Sequence, residues 1–513
     1  MLEEPPRLVR SGLILFSSRI ISVFTGLAFT IMITRSVSEV EYGVWSNINS
    51  DIIAYFTLLS GMFPFWIMRF VARGHKDSAK TGFVANSLLG IISTLIYVLL
   101  IPFILPLIGI SLNYLPIYIL ASAQIIEIYI LSTFQSILRV TKIEALSYGL
   151  LLHETTKVLL GYWLIIYLKT GLQGAVLTLI FAFLIQIIVF LYFGRRKIEG
   201  KINWTYIKEW TKGSTVNLYN VIGQRIVAFS LILLIVICGE TIGLKARAYY
   251  GASFQIASVI TNSTFLVFAL YPRLLMLKKS EDITESFKLF FMFALPMTVG
   301  IIAFADSFLT ILGKRVIAGE LVDYSVATPI LRLLAIYLFA LSISQVLNTV
   351  VFGTEKFDLE ARIPLKKLIH SKIFIVFTLT YVKALMILPA LYFVLPFFSS
   401  DPILSAFYVA QLMLISEIIL LIVRFLLARK MLTFTFPWRN ILKYSFSSAI
   451  MALFLLLIKH PTKISTTALY SLIGGIIYLT VLLVIDKEAR ELLRATIAEV
   501  KVILKKTQNL KLK

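Results

Sequence analysis

The sequence predicts an all-α integral membrane protein of about 14 transmembrane helices. Three observations lead there. The chain of 513 residues is 59% hydrophobic and only 15% charged, with a mean hydropathy of +0.90, too apolar for a soluble globule. Apolar runs of about 20 residues, the length that crosses a bilayer, follow one another along the whole chain. The basic residues alternate between the links: with the N-terminus placed inside, the large majority of the 49 Lys and Arg fall in cytoplasmic segments, as the positive-inside rule requires.

Taken in order, the runs fall near 11–34, 44–69, 82–109, 115–138, 148–168, 173–193, 214–238, 248–270, 286–309, 326–352, 373–397, 403–428, 441–458 and 467–485. The first reads as a span and not as a cleavable signal, because it is long, carries Arg19 and continues into further spans. An even count puts both termini in the cytoplasm. The net charge of +22 is then explained without nucleic acid: basic links such as "GRRKIEGK" and "IPLKKLIHSK" lie over anionic headgroups. Cys238 is the one cysteine, which excludes an intramolecular disulfide, and its apolar setting reads as a small buried side chain. All outward links are short. They leave no room for the outer domains of polysaccharide polymerases and oligosaccharyl transferases.

The organisation is two pseudo-symmetric six-helix lobes plus two extra C-terminal helices. An N-lobe spans 1–193, a basic cytoplasmic link 194–213, a C-lobe 214–428, and spans 13 and 14 occupy 429–485. The tail at 486–513 places Leu493, Ile497, Val500 and Leu504 at helical spacing among basic residues. It reads as an interfacial amphipathic helix, with a plain solvated helix as the alternative. A parallel repeat is expected of two halves with even span counts. "SRIISVF" followed by "EYGVW" in spans 1 and 2, and "QRIVAFS" followed by "YYGAS" in spans 7 and 8, are its traces.

These residues also carry a resemblance. "RSVSEVEYGVWS" after a long first span, "GLQGAVLTLIFAFLIQ" opening span 6, "YIKEWTKGS" leading into span 7, "AYYGASFQIASVITNSTFLVFALYPRLL" at span 8 and "FALPMTVGIIAFADSFLTILGKR" at span 9 occur in family order. Together they resemble the polysaccharide-exporter, or oligosaccharide-lipid flippase, branch of the MOP (multidrug/oligosaccharidyl-lipid/polysaccharide) superfamily, over most of residues 10–350. The resemblance implies a flippase and not an enzyme. It would move a polyprenyl- or dolichyl-(pyro)phosphate-linked oligosaccharide across the cytoplasmic membrane by alternating access, for cell-surface polysaccharide or glycoprotein biosynthesis. The partners expected are this lipid-linked oligosaccharide, membrane lipids, a coupling ion (H+ or Na+) and glycan-assembly enzymes. No cofactor, metal or nucleic acid is expected. Two alternatives stay open: another MOP transporter, either a multidrug exporter or a peptidoglycan-precursor flippase, and a membrane-embedded glycosyltransferase or ligase.

The link "RSVSEVEYG" reads as an outer turn, with Gly43 allowing a tight reversal and Glu39 or Glu41 near the positive end of span 2. The other reading, an acidic glycosyltransferase motif, lacks an accompanying outer domain or second acidic cluster. Charges inside spans cost about 2.5–3.5 kcal/mol each at a helix centre, so they should face a cavity or a partner. The deepest are Arg19, Asp51, Glu127, Arg225, Lys383 and Glu417, with His153, Glu154 and Lys157 at the start of span 5. Arg19 and Arg225 stand at matching depths in spans that line the central cavity, as the resemblance implies, and a guanidinium holds phosphate through two hydrogen bonds. Asp51 is expected to pair with Arg19. The substrate-binding set is therefore Arg19, Arg225, Asp51 and Lys383, and the ion-coupling candidates are Asp51, Glu127 and Glu154. Glu154 and Lys157 stand i,i+3 and can simply pair. Lys383 with Glu417 can be a packing bridge, and Arg424 and Lys288 can snorkel to the cytoplasmic surface.

Overall fold

In the computed structural model, residues 21–267, 280–317, 320–354, 371–458 and 461–494 are described. They form an all-α bundle with one small hairpin. The helices are α1 (Ile21–Thr34), α2 (Glu39–Phe56), α3 (Leu58–Ala72), α4 (Ser78–Leu107) and α5 (Leu112–Thr141). Next come α6 (Ile143–Gly161), α7 (Gly171–Gly194), the short α8 (Trp204–Gly213), α9 (Thr215–Cys238), α10 (Glu240–Ala257), α11 (Ser280–Ala303) and α12 (Ala305–Thr310). After the hairpin of β1 (Lys314–Ile317) and β2 (Glu320–Asp323) come α13 (Thr328–Thr354), α14 (Lys372–Val394), α15 (Pro402–Met431), α16 (Trp438–Leu457) and α17 (Ile464–Ile485).

Ten helical stretches among the described residues are long and apolar enough to cross a membrane, or 11 if the bent pair α2 and α3 is one span. The other three expected spans are those with the most polar content or the least description. Only 21–34 of the first run is described. The run at 148–168 is α6, which carries His153, Glu154 and Lys157 and ends in a π-turn at Tyr162–Tyr167. The run at 248–270 is α10, which begins at Glu240, carries Lys245 and Arg247, and breaks into a 3-10 segment at Ser258–Val267. Polar residues lower the hydropathy of α6 and α10 without preventing a helix, and the first run is short only because its description begins at Ile21.

The start of α2 is written locally. Ser38 is extended and its hydroxyl accepts from the Glu41 amide, while the Glu41 carboxylate accepts from the Ser38 amide at 2.8 Å. This capping box satisfies two donors that a helix start leaves open, and Glu39 adds a second anion to the first turn. The expected placement of Glu39 and Glu41 therefore holds, but the role given to Gly43 does not. Gly43 lies within the helix and not in a reversal. Its function is close approach: a Cβ there would overlap the backbone carbonyl of Leu244 in α10. Gly43→Ala is expected to force the two helices apart and cost about 1–3 kcal/mol. A melting temperature in detergent equal to that of the parent protein would refute this role.

Further along, α2 widens into a π-turn over Asn47–Ile52 that carries Asp51. The inserted residue rotates the remainder of the helix, a distortion common at functional positions. α2 and α3 then meet at a 58° bend. α2 and α10 both start with a glutamate and run into a 3-10 break. Matching their starts pairs Glu39 with Glu240, which does not set "EYGVW" against "YYGAS".

One end of the bundle is sealed between distant parts of the chain. The Thr34 hydroxyl donates to the Leu312 carbonyl at 2.7 Å. Arg35 donates to the Ile311 carbonyl at 2.9 and 3.1 Å. Glu39 accepts from the Asp323 amide at 3.1 Å, and Glu240 from the Ser111 amide at 3.0 Å. Tyr324 stands between Tyr42 and Tyr249, with ring centroids 5.8 and 6.0 Å away. The hairpin in this seal was not read from the sequence, where only a link was expected. Lys314 pairs with Asp323 across it at 3.2 Å. Burial opposes the Asp323 charge, but bonds from Ser325 and Lys314 outweigh it and hold this carboxyl below its usual range.

The basic link at 194–213 contains α8, whose Trp210 is fully buried against Phe63 and Phe70 of α3. The C-terminal pair α16 and α17 packs on α11, where the Tyr478 hydroxyl donates to the Met292 carbonyl at 2.6 Å. Of the amphipathic tail, 487–494 is helical and 495–513 lies outside the described residues.

Candidate functional site

A cavity of about 810 Å³ occupies the middle of the bundle. Its wall uses Gly26, Phe29 and Thr30 of α1, residues 42–51 of α2, Lys157 of α6, and faces of α9, α10, α13, α14 and α15. On α9 the wall runs over 220–231, on α13 over 337–352, on α14 over 376–383 and on α15 over 413–424. It thus extends from mid-helix toward the ends at Thr215, Thr354, Lys372 and Met431, opposite the sealed end. The floor is aromatic, with Tyr42, Trp45, Tyr250 and Tyr337 on the wall.

Four basic residues and two acidic ones stand on this wall: Lys157, Arg247, Lys383 and Arg424 against Asp51 and Glu417. They form three clusters. Asp51 accepts from Arg247 through both oxygens, at 2.7 Å from Nε and 3.0 Å from Nη2. The same guanidinium donates to the Ser46 carbonyl at 3.2 Å. Behind Asp51, Asn47 donates to its Oδ2 at 3.4 Å, and the Tyr118 hydroxyl donates to Asn47 at 2.7 Å. The pair is 1% and 2% exposed, so it is a desolvated, bidentate contact between α2 and α10.

The second cluster joins α14 and α15. Glu417 accepts from Lys383 Nζ at 2.6 Å and from Arg424 Nη1 at 2.6 Å. Lys383 also donates to the Tyr337 hydroxyl at 3.3 Å and stands 4.8 Å from that ring's centroid. Two cations share one carboxylate, and Arg424 Nε is buried without a hydrogen-bond partner. The third cluster is Glu154 with Lys157, 2.5 Å apart. Glu154 also accepts from Ser22 at 2.7 Å and from Thr25, which ties α6 to α1. His153 beside it stacks on Phe183 at 4.9 Å and is not on the cavity wall.

Three solved structures share this architecture. An inward-facing multidrug resistance MATE family transporter of the MOP superfamily aligns with a TM-score of 0.58 at 15% identity, covering 80% of this chain and 94% of that one. The lipid II flippase MurJ, in an inward closed conformation, aligns with a TM-score of 0.61 at 17% identity, covering 94% of this chain and 100% of that one. The protein has the fold of the MOP superfamily. A MOP superfamily transporter from Pyrococcus furiosus adds a TM-score of 0.53 at 14% identity over 82% and 94% of the two chains. No protein-family model matches the sequence, and no curated protein matches it.

Within this MOP fold the expected site residues take different places. Asp51 and Lys383 are on the wall. Arg19, and with it the expected Arg19–Asp51 pair, lies outside the described residues; among the described residues both oxygens of Asp51 accept from Arg247. Arg225 is half-buried and not on the wall, with its Nε unpartnered, though close enough to Asp51 and Tyr55 to interact electrostatically. Its carbonyl accepts from the Tyr55 hydroxyl at 2.9 Å. Glu127 is buried in α5, away from the wall, with one oxygen unpartnered. Arg424 does not snorkel; it turns inward to Glu417.

Arg247 is a wall residue that the sequence reading passed over, and Arg424 is one that it sent to the cytoplasmic surface. Arg247 falls one residue before the apolar run begun at 248, which put it outside the membrane. Arg424 stands seven residues after Glu417, and that spacing alone places both on one helix face.

Proposed function

We propose that the protein is a flippase for lipid-linked oligosaccharides carried on a polyprenyl- or dolichyl-(pyro)phosphate. The observation that carries this reading is the cluster of Lys383, Glu417 and Arg424: one net positive charge on the wall of a central cavity, with a guanidinium N–H still to be paired. A buried cation excess is costly unless an anion completes it, and a phosphate accepts hydrogen bonds from Arg and Lys at once. The headgroup would sit between this cluster and Arg247, with polar Asn220, Gln224, Gln345 and Asn348 of the wall toward its glycan. The lipid tail would stay in the bilayer. The likeness in fold to the lipid II flippase MurJ supports the reading.

Transport would follow alternating access between a lobe at 1–193 and a lobe at 214–428. The bonds from Thr34 and Arg35 to Leu312 and Ile311, and from Glu39 to Asp323, hold the sealed end and must break for that end to open. The Lys/Arg distribution supports placement in the cytoplasmic membrane with both termini inside. Of the coupling candidates for H+ or Na+, Asp51 is on the wall, Glu154 holds the wall residue Lys157, and Glu127 stands apart.

The test is transport without chemistry. Purified protein in liposomes should move a polyprenyl-pyrophosphate oligosaccharide from one leaflet to the other and leave its mass unchanged. Failure to exceed protein-free liposomes, or recovery of a product with a new glycosidic bond, would overturn the proposal.

A further inference from the structure

A second concavity, of about 600 Å³, lies on the outside of the bundle between α6 and α7. Leu152, Ile188 and Val189 form its bed, and Tyr148, Tyr192 and Phe193 its rim. Its wall is apolar throughout, and none of its residues borders the central cavity. The two helices are pressed together behind it: a Cβ on Gly149 would overlap the Phe190 ring. The groove is therefore closed toward the interior and open to whatever surrounds the bundle. Ile188 and Tyr192 remain 56% and 68% exposed. On a helix that crosses a membrane, such a face meets lipid chains.

The rim is at the end of the groove where α6 starts and α7 finishes. Two cations stand there. Lys142 Nζ is 5.5 Å from the centroid of the Phe193 ring, and Arg195 Cζ is 5.9 Å from that of Tyr192. Neither has a carboxylate within 4.0 Å among the described residues, and Arg196 and Lys197 come directly after. Tyr148 and Phe193 stack at 6.1 Å, so the aromatic rim is continuous. Aromatic side chains at an interface, with unpaired cations above an apolar groove, match the layers of one molecule: an acyl chain, then a glycerol backbone, then a phosphate.

We propose that this groove binds one anionic membrane phospholipid, with a chain along Leu152 and Ile188 and its phosphate against Lys142 and Arg195. The zwitterionic lipids lack the net charge that the two cations select. The site is separate from the transport cavity, so the proposal does not rest on the flippase reading.

Native mass spectrometry of the full-length protein in detergent, offered equimolar phosphatidylglycerol and phosphatidylcholine, tests it. One phosphatidylglycerol should be retained per chain, preferred by roughly 30-fold, the factor that two cations near an anionic headgroup supply. The double change Lys142→Ala with Arg195→Ala should abolish the preference. Leu152→Trp, which fills the groove and keeps both cations, should expel the lipid. Both variants alter exposed positions, and unchanged melting in lipid-free detergent checks their folding. Equal retention of the two lipids by the parent protein, or a phosphatidylglycerol that survives Leu152→Trp, would overturn the proposal.

Discussion

Glu417→Gln should be among the most damaging single changes in the bundle. Glu417 is completely buried and serves Lys383 and Arg424 together. Glutamine keeps the shape but not the charge, so two desolvated cations are left facing each other. Removing one member of a buried ionic group costs about 3–5 kcal/mol, and here the remaining charges also repel. A fall in melting temperature large enough to lower the yield of folded protein is expected. Lys383→Met is the contrast. It leaves Glu417 paired with Arg424, and a long apolar side chain replaces the lysine stem, so the stability cost should stay near about 1 kcal/mol. Its effect should fall on transport instead, because it removes the net positive charge that the proposed phosphate headgroup would meet. Thermal melting in detergent beside a flipping assay separates the two. If Lys383→Met destabilises as much as Glu417→Gln, the cluster is a packing device. If it is stable and inactive, the cluster is a binding site.

Arg247→Ala should be comparably severe, for the mirror-image reason. It strands Asp51 in a place with 1% exposure, with only Asn47 still donating to it. The expected cost is again about 3–5 kcal/mol. The double change Asp51→Asn with Arg247→Gln replaces the ion pair by neutral groups that can still bond to each other, and should recover most of that stability. Transport then decides the role of the pair. A stable and inactive double shows that the guanidinium, or the carboxylate, acts on the cargo or the coupling ion. Recovery of transport along with stability shows that the pair only fastens α2 to α10.

These tests differ from those the sequence alone invites, and the difference has a physical origin. A carboxylate or ammonium inside an apolar run is anomalous wherever it stands, because burial of an unpaired charge is costly. Asp51, Lys157, Lys383 and Glu417, all on the cavity wall, were therefore visible as anomalous charges without any structure, although the sequence reading put only Asp51 and Lys383 in the substrate-binding set and offered Lys157 and Glu417 as packing partners. The capping box at Ser38 and Glu41 was open to the same kind of reading, since it involves residues three apart on one helix start. Length and hydropathy likewise determine an all-helical membrane bundle, because a backbone in lipid must satisfy its own hydrogen bonds.

The sequence already offered the Glu154–Lys157 and Lys383–Glu417 pairs, but what meets Asp51 and Gly43 was decided only by the tertiary structure. Among the described residues the cation on Asp51 is Arg247, 196 positions away on α10, a partner that the sequence reading did not offer. Gly43 looked like a turn residue and is a crossing point, because the Leu244 backbone passes against it. Sequence periodicity reports which face of a helix is apolar, but not how far that helix slides along its neighbour. One turn is about 5.4 Å, more than the length of an ion pair, so a shift of a single turn exchanges one partner for another. Solvent preference is a property of each residue and can be read along the chain. Pairing between distant segments belongs to helices that cross, and the crossing of α2 with α10 is what brings Arg247 to Asp51 on the cavity wall.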